Sequence, residues 1–181
     1  MSLAGSVVWG IVPFAPQAPF RLYVEGNAPI EVPDPAKLVA AAKKGGDAEF
    51  TYLVSGKARP LLILSDAQDQ SLGELLALRL ARFSKLTDTE QEQIRAQKHD
   101  LLFHLDPTDF PDLPEENAAM VAGLVRVHRS AIASGPLGQL DSYALTTLHE
   151  RVVTFYGFNL RMLVQRRLED LAALQRQQAS D

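Results

Sequence analysis

Before Asp141, the chain is built from short apolar runs broken by prolines, glycines and polar clusters. After it, apolar residues recur at helical spacing. Val7 to Phe14 is rich in β-branched and aromatic residues and reads as a first strand. Pro13, Pro16 and Pro19 forbid a helix behind it and predict an extended exit. Phe20 to Val24 and Ile30 to Val32 are short strand candidates on either side of Gly26-Asn27, the pattern of a hairpin. Asp34 then caps a helix with Pro35 in its first position and Gly45-Gly46 at its end. Phe50 to Val54 resumes as a strand, and Ser55-Gly56 turns the chain.

The next run, Lys57-Ala58-Arg59-Pro60-Leu61-Leu62-Ile63-Leu64-Ser65-Asp66, has four apolar residues bounded by polar ones. This is the pattern of a buried strand. Pro60 suits the first position of that strand, where its missing N–H costs little, and this puts Arg59 at the strand's mouth. A fixed positive charge on a rigid element is well placed to grip a phosphate. The plainer alternative is a surface arginine at the end of a core strand.

Residues 71 to 84 support two readings. Leu72, Leu75, Leu76, Arg79 and Leu80 have helical spacing behind a Ser71/Glu74 capping box, whereas Leu76, Leu78 and Leu80 alternate as in a strand. Thr87 with Glu90 caps a short polar helix reaching to Lys98. Leu101 to Leu105 is a strand candidate, and Asp106 to Pro114 is a loop rich in proline and aspartate. Val121 to Val127 reads as a strand with a bulge at Gly123. Ser134 to Gly138 is a turn. An Asp141 or Ser142 cap opens a helix with Leu145, Leu148, Val152 and Phe155 on one face, and Gly157 weakens its end. A second amphipathic run carries Leu160, Leu163, Val164, Leu168, Leu171 and Leu174. Arg161, Arg166, Arg167 and Arg176 lie outside that stripe among acidic residues, which suits a solvated face. Many short strands before terminal helices predict an α+β barrel or sandwich.

Composition narrows the classes. The 181 residues suit one domain, or one with an appendage, and 46% apolar residues can fill a core. The formal net charge of −4 argues against a surface coated by nucleic acid but leaves room for a local basic cleft. With no cysteine, disulfides, thiolate nucleophiles and Cys-ligated zinc are excluded together. No basic-then-apolar leader is evident, and no apolar run approaches the roughly 18 residues of a membrane span. A cytoplasmic protein without membrane contact is expected. His99, His104, His128 and His149 lack ligand spacing, and the acidic loop lacks the pattern of a calcium site, so neither a metal nor a cofactor is expected.

Gly5-Ser6-Val7-Val8-Trp9, the Arg59-Pro60 run and the Leu75 to Ser84 stretch resemble, in that order, successive strands of MazF/PemK-type toxins. Asn117 to Ile132 looks like the penultimate segment of that family. Leu137-Gly138-Gln139-Leu140 before a helix is similar to its last turn. The resemblance implies a small SH3-like β-barrel with helices, usually dimeric, and makes Leu75 to Ser84 a strand. It divides the chain into a barrel domain over 1–157 and a helical extension over 158–181. It further implies a metal-independent endoribonuclease acting on single-stranded RNA, neutralised by an antitoxin protein, in which the ribose 2′-hydroxyl attacks and a cyclic phosphate remains. Arg59 matches the family's catalytic arginine, and Ser84 falls where the family has a catalytic threonine. Lys57, Arg79 and Arg82 are the candidate RNA contacts that accompany them. The alternatives are a helix-capping role for Ser84 and a solvated strand face for the arginines. Residues 15–55 replace a short glycine-rich loop of the family, a difference of roughly forty residues, and form an insertion with structure of its own. That departure keeps a second class of function in view, a non-catalytic barrel relative that binds protein or nucleic acid.

Overall fold

Each side chain of the Leu61 to Leu64 run is buried. The computed structural model describes residues 3–23, 25–45, 50–65 and 73–157. In chain order the strands are β1 (Val7–Pro13), β2 (Phe20–Leu22), β3 (Ile30–Val32), β4 (Tyr52–Leu53), β5 (Gly56–Ile63), β6 (Glu74–Arg82), β7 (Leu102–Leu105) and β8 (Asn117–His128). The helices are α1 (Pro35–Gly45), α2 (Asp88–Arg95) and α3 (Ser142–Phe155). The fold is α+β, with a five-stranded sheet in the order β1-β5-β6-β8-β7 and a three-stranded sheet in the order β3-β2-β4.

The chain divides into two compact units, residues 11–58 and the remainder. In the larger unit, register decides which side chains meet. β5 and β6 are antiparallel with Leu61 opposite Arg79, Leu62 opposite Leu78 and Ile63 opposite Ala77. Because side chains alternate along a strand, Leu62 and Leu78 point to one face, while Leu61 and Arg79 point to the other. The first face packs with Val7, Phe103, Leu105, Val121 and with Leu148 and Val152 of α3 into the main core. α2 covers part of the second face, where its Ile94 packs with Phe83, Leu102 and Ala118.

Local sequence rules hold at the helix starts. Asp141 Oδ1 accepts from the Ala144 N–H at 2.7 Å, and Thr87 and Glu90 form the reciprocal capping box. Residues 74–82 are a strand, so alternation prevails over helical spacing there because both sides of β6 find partners in β5 and β8. The Gly123 bulge is present: Leu78 pairs with Leu124 but Leu80 with Ala119, which leaves residues 120–123 opposite Arg79. A side chain at Gly123 would crowd the Met120 carbonyl oxygen at 2.9 Å and the Arg79 Cβ at 3.4 Å, so this close approach needs glycine.

The 11–58 unit contains β2, β3, β4 and α1. β2 pairs antiparallel with β3, Leu22 opposite Ile30, as expected of a hairpin around Gly26-Asn27. The Asp34 carboxylate accepts from the Ala36 N–H at 2.9 Å at the start of α1.

Several expectations need correction. β5 begins at Gly56, so Pro60 is interior and Arg59 is not at the strand's mouth. The proline is tolerated because the ladder to β6 starts one residue later, at Leu61. The strand expected over Phe50 to Val54 is confined to Tyr52–Leu53, the residues that face β2. β8 extends well beyond Val121 to Val127 because β6 and β7 both pair with its first half. The sheet does not close into a barrel. The outer edge of β1 is taken by the segment after β8, through the Ser6–Gln139 and Gly10–Ile132 bridges and the hydrogen bonds between Val7 and residues 137 and 138. β7 remains the opposite end of the sheet. Ser71 and the amphipathic run over 158–181 lie outside the described residues.

Candidate functional site

Arg59 and Arg79 come to one face of the five-stranded sheet. Arg79 stands opposite Leu61, and Arg59, two residues before Leu61, alternates back to the same side. The two are therefore diagonal in register across β5 and β6. Both arginines are partly buried, and the Nε of each is enclosed without a hydrogen-bond partner. Neither forms an ion pair among the described residues. A buried donor left unmatched costs about 1–3 kcal/mol, more when it carries charge. Guanidinium groups suit an anion with several acceptor oxygens, the chemistry of a phosphodiester.

Ser84 lies just past the end of β6, in a single 3₁₀ turn over Phe83–Lys85, and is exposed. It does not cap α2, a task that Thr87 performs. Its hydroxyl donates to Glu115 Oε2 at 2.6 Å, and Arg82 Nε lies 3.3 Å from Glu115 Oε1. Arg82 thus pairs with Glu115 while its side chain stays largely exposed. Glu115 is fixed from behind: buried Asn117 donates its side-chain amide to the Glu115 carbonyl oxygen at 2.6 Å. Lys57 is exposed on β5 and belongs to the 11–58 unit.

A second cluster adjoins Glu115 in sequence. Arg95 clasps Glu116 with Nε at 2.9 Å and Nη2 at 2.5 Å, and His104 Nε2 lies 2.8 Å from the same carboxylate. The Arg95 hydrogen bonds hold the Glu116 carboxyl below its usual value; partial burial opposes this, and His104 reinforces it. The Arg95 guanidinium also sits 5.1 Å over the Phe83 ring. This cluster ties α2 to β7 and to the start of β8.

Glu115 and Glu116 stand at the end of the loop before β8 and are partly buried. Each is bound by a basic side chain from a neighbouring element, and nothing in their spacing announces it. Trp9 is partly buried and its amide donates to Ser134 Oγ, whereas Phe14 is half-exposed. His149 Nε2 meets the Leu64 carbonyl oxygen at 2.8 Å, and His128 Nδ1 meets Ser130 Oγ at 2.6 Å. Among the described residues, no three His, Asp or Glu side chains are grouped as metal ligands. Nor is any described helix long and apolar enough to cross a membrane. Within the 11–58 unit, a cleft of about 430 Å³ is lined by Phe14, Pro16, Pro19, Phe20, Arg21 and Tyr52 among others. No protein-family model matches the sequence, and no curated protein matches it.

Proposed function

We propose that this protein is a metal-independent endoribonuclease of MazF/PemK type that binds single-stranded RNA on the Arg59–Arg79 face of its sheet. The observation that carries the reading is the pair of arginines with enclosed, unpartnered Nε atoms on one face of two adjacent strands. A structural arginine ordinarily finds an acceptor within the fold. Two neighbours lacking one suit an external phosphate. In this reading the open five-stranded sheet, flanked along β1 by residues 132–140, is a variant of the SH3-like barrel. Arg59 and Arg79 neutralise the non-bridging oxygens as the 2′-hydroxyl attacks, and Ser84 assists in moving a proton. Lys57 and Arg82 are carried in this proposal as further RNA contacts. A homodimer, and an antitoxin that occupies the same face, belong to the same proposal.

The test is incubation of purified protein in EDTA with a long single-stranded RNA, beside Arg59→Ala and Arg59→Lys proteins. Products ending in a 2′,3′-cyclic phosphate are expected from the wild type and from neither variant, since lysine lacks the planar fork. Absence of cleavage by a folded, partner-free protein would overturn the nuclease reading.

A second reading is a non-catalytic relative acting as a protein- or nucleic-acid-binding module. It is favoured by the 11–58 unit, where Tyr23, Ile30, Val39, Tyr52 and Leu53 are exposed, an apolar concentration typical of interaction surfaces. RNA binding by wild type without cleavage would establish it.

A further inference from the structure

We propose that Glu115 is the proton acceptor of the cleavage step, acting through Ser84. This rests on the endoribonuclease reading above. The sheet topology assembles the parts. β5 runs antiparallel to β6, so residues preceding Leu61 lie toward the end of β6. β8 starts where β6 ends, with Asn117 opposite Arg82. Arg59, Arg82, Ser84 and Glu115 thereby share one end of the sheet although they come from three separate stretches of chain.

Glu115 is held in a defined pose. Its main chain is anchored through its carbonyl to buried Asn117, and the Phe83 N–H donates to the next carbonyl, that of Glu116, at 3.1 Å. Of its carboxylate oxygens, one faces Arg82 Nε at 3.3 Å and the other accepts the Ser84 hydroxyl at 2.6 Å. Arg82 orients the carboxylate, and the Ser84 hydrogen bond gives a proton a direct path to it. Such pre-orientation is what a proton transfer within a hydrogen bond requires.

The step balances as follows. A ribose 2′-hydroxyl bonded to Ser84 Oγ gives its proton to that oxygen while Ser84 passes its own proton to Glu115 Oε2. The 2′-oxygen forms a bond to phosphorus, the phosphorus–O5′ bond breaks, and O5′ takes a proton from solvent water. The products are a 2′,3′-cyclic phosphate and a 5′-hydroxyl, and Glu115 returns its proton to solvent. Serine is unchanged at the end, so Ser84 touches the reacting atoms and Glu115 acts through it.

The experiment is the pH dependence of kcat and KM on a single-stranded RNA oligonucleotide in EDTA. Wild type, Glu115→Gln and Glu115→Asp are compared, each checked for native circular dichroism. Glutamine keeps an acceptor oxygen for Ser84 but cannot take a proton under these conditions. It should lower kcat by about 10²- to 10⁴-fold with KM little changed, and remove the acidic limb of the kcat profile. Aspartate should retain the limb at an intermediate rate. A glutamine variant that keeps the limb, or that changes KM alone, would overturn the assignment while leaving the nuclease reading intact. A wild type that makes no cyclic phosphate sinks the nuclease reading and this assignment with it.

Discussion

Replacing Arg79 with methionine should make the protein more stable and its RNA binding weaker. The side chain sits in the middle of β6 opposite Leu61, beneath the residues 120–123 bulge, with its Nε enclosed and unmatched. Removing a buried, unmatched donor recovers about 1–3 kcal/mol. The methionine stem replaces most of the apolar contact made by the arginine stem, and its shorter reach gives back roughly 1 kcal/mol. The net expectation is a gain of up to about 2 kcal/mol, equivalent to a Tm rise of up to roughly 8 °C for a chain of this length. The assay is urea unfolding followed by circular dichroism, paired with RNA affinity at fixed salt. Loss of a charge-assisted contact of about 1.5–3 kcal/mol should weaken binding by roughly 10- to 150-fold. Sulfate should stabilise the wild type more than the variant, since only the wild type has the arginine pair to hold it. A variant destabilised by 1 kcal/mol or more, or one that binds RNA as tightly as wild type, would refute the view that Arg79 is held in readiness for an anion.

Two further outcomes follow from geometry elsewhere. Gly138 has φ +148°, and a methyl group there would collide with the Asp109 carbonyl oxygen and the Phe110 ring, so Gly138→Ala should cost about 3 kcal/mol or more in urea unfolding; a change below 1 kcal/mol would show that the 132–140 segment does not need this approach. For Glu116, the folded carboxyl lies below its unfolded value of about 4.5. Its contribution to stability is fully present above that value and is lost as the pH falls through the lowered folded pKa. Unfolding free energy should therefore drop on acidification below pH 4.5, and Glu116→Gln should flatten that fall; equal slopes for the two proteins would show that the Arg95 clasp does not act this way.

Much of the local structure is written in the sequence, because local rules govern it. Thr87 with Glu90, Asp141 before Ala144 and Asp34 before Ala36 each form their caps from residues two or three positions apart. The hairpin around Gly26-Asn27 uses the positive φ of Gly26, and the Gly123 bulge uses the close approach that a missing side chain allows. The Leu61 to Leu64 run determined its own burial through its apolarity. Register and edge pairing are different in kind, since they arise from contacts between residues far apart in the chain. Only tertiary structure decided that residues 74–82 form a strand, through partners on both sides, and that β1 pairs outward with residues 132–140 and leaves the sheet open. The same holds for the site. Arg59 was visible from its place before an apolar strand, but its neighbour Arg79 and its lack of a partner are facts of register and enclosure. Glu115, just past the Asp106 to Pro114 loop, comes to Ser84 through the antiparallel pairing that brings the start of β8 to the end of β6. A one-residue slip of that pairing would send Arg79 to the opposite face, which is why sequence spacing within one strand cannot specify it.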